Sequence, residues 1–187
     1  KNSPGMQIYN GTISIGGSAK SGTASSPITV GAYGVGNKPI IQGLASFGLF
    51  WMGGVSYWNI DNIDFTDTVY DDPIRTGTPR NQCAIRLGEE GYGNSGKCYH
   101  CKISNCDFSN IGDAISITGD YNIVEYCNFN DLRAGVNDEG GGGNDYGSNP
   151  VTLSQADYNV VRNCTVTNCW YASFDFGYDG GFIEIYN

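Results

Sequence analysis

The sequence predicts an all-β solenoid, a chain wound in short strands around one continuous core. Three observations predict it. An eight-residue phrase returns four times in phase: WNIDNIDF at 58–65, CKISNCDF at 101–108, NIVEYCNF at 122–129 and NVVRNCTV at 159–166. A short alternating strand travels with it, as CAIRL at 83–87, DAISI at 113–117, PVTL at 150–153 and FIEI at 182–185. No stretch sustains apolar residues at helical spacing behind a capping box.

Each element follows from its residue pattern. Aligning the phrases stacks Ile63, Cys106, Cys127 and Cys164 in one column, with Phe65, Phe108, Phe129 and Val166 two residues on. Both columns are expected to face inward. In the alternating strands, period two sends Ile85, Leu87, Ile115, Ile117, Val151, Leu153, Ile183 and Ile185 to one face and Arg86, Ser116, Thr152 and Glu184 to the other. Each coil is therefore expected to supply one strand to each face of the solenoid. Cys106 and Cys127 are 21 residues apart, one compact rung, whereas Cys127 and Cys164 are 37 apart and enclose the Gly-rich run 134–148. A loop has been inserted there without disturbing the repeat.

Two further segments carry a family resemblance. GTASSPITVGAYGVGNKPIIQG at 22–43 is similar to the phrase that opens the first coil in secreted bacterial β-helix proteins, and YDGGFIEIYN at 178–187 resembles another of their rungs. The chain thus resembles a right-handed parallel β-helix of the pectate-lyase-like superfamily along nearly its whole length. Many chemistries use this scaffold, so the resemblance specifies fold better than activity. It implies a ladder of stacked amides buried in a tight turn at Asn62, Asn105 and Asn163, interrupted by Tyr126.

Composition agrees for physical reasons. The 28 Gly and 13 Tyr among 187 residues suit a chain that turns often between short strands. The length and 40% hydrophobic content predict one domain, 1–187, with a continuous core. A net charge of −9 argues against binding nucleic acid through phosphate contacts, which needs clustered Lys and Arg. No window approaches the roughly 20 apolar residues of a membrane helix, so no membrane span is expected. The Tyr-, Asn- and Gly-rich, Lys-poor composition suits a secreted or cell-surface protein. The chain ends on a strand and opens without an amphipathic capping helix, which predicts a fragment, or a solenoid whose ends are covered by something else.

The seven cysteines read as core residues rather than ligands. Cys98-Tyr-His-Cys101 superficially resembles half a zinc site, but no second pair follows and His100 is the sole histidine. Cys106, Cys127 and Cys164 share the inward column, and Cys169 falls in phase with Ile111 and Leu132. Cys98 and Cys101 are expected near a turn, where they are free to pair.

Function is expected where the insertions gather. Segments 66–82, 131–149 and 170–181 precede the alternating strand in what read as three successive coils, and should wall a groove floored by Arg86, Ser116, Thr152 and Glu184. The carboxylates Asp113 and Glu184 offer acid–base groups, and Arg86 a cation that neutralises a uronate carboxylate or takes part in proton transfer. Those three are the expected catalytic residues. Ser116 and Thr152, with the aromatics Tyr146, Trp170 and Tyr178, are the expected substrate contacts, since aromatic rings stack on sugars. Asp138, Glu139 and Asp179 are the expected oxygen ligands for Ca²⁺, and no other cofactor is expected. The DEGGGGNDYG run at 138–147 has the wrong acidic spacing for an EF-hand or a nonapeptide Ca²⁺ repeat.

Motifs of individual β-helix enzymes have no match here: neither the Asp-Asp and Gly-His-Gly set of polygalacturonases nor the Lys and Arg pair of alginate and chondroitin lyases. Two readings follow. In the first, the chain binds an extended polysaccharide in the groove and cleaves it by Ca²⁺-assisted β-elimination or carboxylate hydrolysis. In the second it is a structural or adhesive subunit whose ends stack axially into filaments without catalysis.

Overall fold

In the computed structural model the described residues are 8–16, 19–43, 48–66, 83–89, 96–132, 148–173 and 177–186; at 10, 171–173 and 177–179 the description covers the backbone. These residues form a parallel β-helix. Among them, three parallel sheets of six, five and six strands run along the chain, and each complete coil contributes one strand to each.

Face I stacks β2 (Ile13–Ile15), β5 (Phe50–Met52), β8 (Cys83–Leu87), β11 (Asp113–Ile117), β14 (Val151–Ser154) and β19 (Ile183–Tyr186). Face II stacks β3 (Ile28–Gly31), β6 (Trp58–Asp61), β9 (Lys102–Ser104), β12 (Ile123–Glu125) and β15 (Val160–Arg162). Face III stacks β1 (Ile8–Asn10), β4 (Ile40–Gln42), β7 (Asp64–Thr66), β10 (Asp107–Ser109), β13 (Asn128–Asn130) and β16 (Thr165–Thr167). A short antiparallel hairpin, β17 (Tyr171–Ser173) with β18 (Gly177–Asp179), stands between faces III and I.

The repeated phrase is therefore two strands, where one was expected. Its first half lies on face II and its second on face III, and the chain bends between them at Asn62, Asn105, Tyr126 and Asn163. All four have positive φ, between 54° and 58°. A single left-handed residue turns the chain sharply, and Asn tolerates that conformation better than most side chains. The amide ladder expected to be buried at this corner is not: Asn105 and Asn163 are exposed, and Asn105 donates to Asp61 Oδ1 at 2.8 Å. A buried amide is found instead at Asn122, which accepts from the Cys101 backbone N–H at 2.9 Å and donates to Cys98 O at 3.1 Å.

The corner between faces I and II repeats the device with aromatic residues. Tyr57, His100, Tyr121 and Tyr158 all have positive φ, and their rings stack in series at 4.8, 5.1 and 5.0 Å. Close rung-to-rung approach also explains Gly119: a Cβ there would stand 2.1 Å from Cys98 O, and its φ of 128° favours glycine.

The core consists of in-register columns. On face III, Ile41, Phe65, Phe108, Phe129 and Val166 pair in sequence, and the phenylalanine rings stack at 5.3 and 5.0 Å. On face I, Phe50, Ile85, Ile115 and Val151 form one buried column, and Met52, Leu87 and Ile117 another. Each such buried side chain contributes about 1.5–3 kcal/mol relative to exposure.

The expected cysteine column is present, with Cys106 and Cys127 fully buried and Cys164 half-buried. All seven thiols are free. Cys98 and Cys101 are buried and share a thiol hydrogen bond rather than a disulfide; that bond and burial push the Cys101 thiol up. No helix among the described residues is long and apolar enough to cross a membrane.

Candidate functional site

The outward side of face I carries a single file of side chains. Strand register aligns Ser14, Trp51, Arg86, Ser116, Thr152 and Glu184, each the Cα partner of the next. Four of these were expected, and parallel pairing places them one rung apart, about 4.8 Å. Ser116 and Thr152 thus separate Arg86 from Glu184. Thr152 Oγ1 is buried and has no hydrogen-bond partner among the described residues.

Asp113 is in phase with the inward residues of β11 rather than with this file, but at the strand's start it lies close enough to feel the charges of Glu184 and Arg86. It pairs with Cys83 at the start of the face I strands, two positions before Ile115. Its Oδ1 accepts from the Asn149 backbone N–H at 3.2 Å. Burial pushes its carboxyl up to about 6, and the Glu184 charge pushes the same way, against the Asn149 hydrogen bond and the Arg86 charge. Burial likewise pushes the neighbouring Cys83 thiol up to about 12, with the Asp113 charge adding to it. That thiol is therefore neutral at ordinary pH and serves as packing.

Asn149 joins the two carboxyl groups. Its backbone N–H serves Asp113, its side-chain Nδ2 donates to Glu184 Oε2, and its Oδ1 accepts from the Gly181 N–H at 3.0 Å. Its carbonyl accepts from the Ala114 N–H at 3.2 Å, so all four of its polar groups are committed, and the residue is buried. The result is a fixed Asp113–Asn149–Glu184 bridge, with Arg86 one rung beyond Asp113. It offers a carboxyl that exchanges its proton close to neutrality, a second carboxylate and a cation.

The corner entering face I is where the insertions were expected, and the strand order places segments 67–82, 133–147 and 170–181 between a face III strand and the next face I strand. They are not in three successive coils, however. Between β10 and β11 the chain passes through 110–112 alone. The last insertion is in part the β17–β18 hairpin, its base fixed by a parallel bridge between Ser148 and Gly180. Ser148 in turn donates to Leu132 O at 2.8 Å.

Of the other expected residues, Trp170 is exposed beside that hairpin base. Tyr178 and Asp179 lie on β18, where they pair with Ala172 and Tyr171. Tyr146, Asp138 and Glu139 lie outside the described residues. Among the described residues no group of three His, Cys, Asp or Glu side chains is placed to hold a metal ion.

Asn149 and Trp51 were not among the residues expected from the sequence. For Trp51 the signal was available: FWM at 50–52 has the same apolar-outward-apolar order as IRL at 85–87. For Asn149 none was, since its role depends on which rungs adjoin.

No known protein family matches the sequence, and no curated protein does. Among solved structures, the alginate lyase from Paenibacillus sp. str. FPU-7 is similar to this chain at 15% identity with a TM-score of 0.47, over 85% of this chain and 58% of that one. This chain thus spans somewhat over half the length of that structure.

Proposed function

We propose that face I binds an extended polysaccharide along the file from Arg86 to Glu184, and that the chain cleaves it by carboxylate hydrolysis. The observation carrying this reading is the Asp113–Asn149–Glu184 bridge, in which burial raises Asp113 to about 6. In its protonated form Asp113 donates to the glycosidic oxygen as the bond to the anomeric carbon breaks. Glu184, on the second strand along from Asp113, takes a proton from the water that attacks that carbon, and proton exchange with solvent then returns Asp113 to its acid form and Glu184 to its carboxylate. Among the described residues the carboxyl of Asp113 takes its hydrogen bond on Oδ1, so Oδ2 is the oxygen assigned to substrate.

Arg86 binds an anionic group on the sugar chain, which favours an acidic polysaccharide over a neutral one. Ser116 and Thr152 supply hydroxyls between the two charged ends of the file. Trp170 contacts the sugar chain from the hairpin side. Membership of the pectate-lyase-like superfamily and an extracellular location belong to the same proposal, supported by the coil phrases and composition.

The test is a reducing-end assay of the intact chain on polygalacturonate and on a neutral β-glucan, run with wild type, Glu184→Gln and Asp113→Asn. Turnover of the acidic polymer, lost in both variants while their thermal unfolding is unchanged, is the expected result. Equal turnover by Glu184→Gln would remove the hydrolytic assignment.

A further inference from the structure

We propose that Trp51 forms a preformed aromatic subsite that extends the face I file beyond Arg86 and seats the apolar face of a sugar ring. The inference rests on the reading of face I as a polysaccharide surface. It adds a ligand-binding residue that the carboxylate bridge does not require.

Trp51 points outward. Its neighbours Phe50 and Met52 are fully buried on the core side of β5, so alternation directs the indole to the opposite side of the sheet, where it is partly exposed. It is the one aromatic residue in the file Ser14, Trp51, Arg86, Ser116, Thr152, Glu184, and it is the direct register partner of Arg86.

The backbone beneath it is cut away to receive the ring. A Cβ at Gly53 would stand 2.9 Å from Cζ2, and a Cβ at Gly16 would stand 3.0 Å from both Cη2 and Cζ3. Gly16 belongs to the adjacent rung, just after β2, and Gly53 directly follows β5. The six-membered ring therefore occupies space that any other residue at either glycine would claim. An indole held in this way has little conformational freedom left to lose on binding, which suits an aromatic sugar platform. Continuity with Arg86 supplies the occupant: a ligand that spans both positions must present an anionic group at one rung and an apolar ring face at the next, as an acidic polysaccharide does.

The experiment measures binding of polygalacturonate to the full chain by calorimetric titration for wild type, Trp51→Ala, Trp51→Phe, Gly53→Ala and Arg86→Ala, with thermal unfolding of each. Trp51→Ala is expected to weaken binding at least about tenfold, and Trp51→Phe to recover part of the loss. Gly53→Ala keeps the indole but displaces it, so it should weaken binding as well; should Trp51→Ala fail to fold, Gly53→Ala and Trp51→Phe decide. Wild-type affinity in folded Trp51→Ala, with loss in Arg86→Ala, would overturn this inference and leave face I as the binding surface. No binding by the wild type would overturn both.

Discussion

Asp113 Oδ1 accepts a 3.2 Å hydrogen bond from the backbone N–H of Asn149, whose side chain serves the other carboxylate of the site. Because the contact comes from the backbone, substituting Asn149 would free Glu184 while leaving Asp113 its partner. The two carboxyl groups are thus held by separable means.

The raised carboxyl of Asp113 makes stability depend on pH with a definite sign. Its value of about 6 lies above the ordinary 3.8, so the folded state holds the proton more tightly than the unfolded state. The stability linked to that proton is fully present below about pH 4 and is lost as pH rises through about 6, a change on the order of 2–3 kcal/mol. Asp113→Asn should abolish this part of the slope. Urea unfolding of both proteins at pH 4, 5, 6 and 7 measures it.

Arg86 lowers the Asp113 value, so its removal should move that value further up. Arg86→Ala is therefore expected to shift the Asp113-dependent limb of the pH–rate profile to higher pH while weakening binding of acidic polymers. Added salt should weaken the wild type more than the variant, since the lost contact is ionic. Titrations at two salt concentrations check the second point.

Phe108 lies between Phe65 and Phe129 in the face III stack, with ring centroids 5.3 and 5.0 Å away. Phe108→Ala should cost about 3–5 kcal/mol, because the rungs on either side cannot close over the cavity without breaking register. Chemical denaturation measures the loss. A cost below about 1 kcal/mol would show that the column relaxes freely.

Asn163 is exposed and left-handed, with φ 54°. Asn163→Val should destabilise by about 1–2 kcal/mol, whereas Asn163→Gly should be nearly neutral. Equal melting temperatures for the two variants would mean that the corner does not demand this conformation.

The parts of this fold legible in the sequence are those that parallel, in-register pairing imposes. Phe65, Phe108 and Phe129 recur because each must occupy the same place one rung on, and the file of Arg86, Ser116, Thr152 and Glu184 follows from the same rule. The bend inside each phrase was hidden, because one left-handed residue such as Asn105 turns the chain without a loop or a change of composition. The amides at that corner were expected inside, yet Asn105 and Asn163 are exposed and Asn62 only half-buried, since backbone conformation rather than burial selects them. Asn149 was illegible for another reason: its four hydrogen bonds join β11 to β19 and the segment before it, across an insertion whose length says nothing of spatial adjacency.

Ligand is expected along face I and not elsewhere on the solenoid. Ser116 faces outward at the middle of the face I file, and Ser109 faces outward on face III. Polygalacturonate binding by Ser116→Trp and Ser109→Trp, both verified as folded, tests it directly. Loss of binding in Ser116→Trp with wild-type affinity in Ser109→Trp is the expected result. Undiminished binding by Ser116→Trp would contradict it.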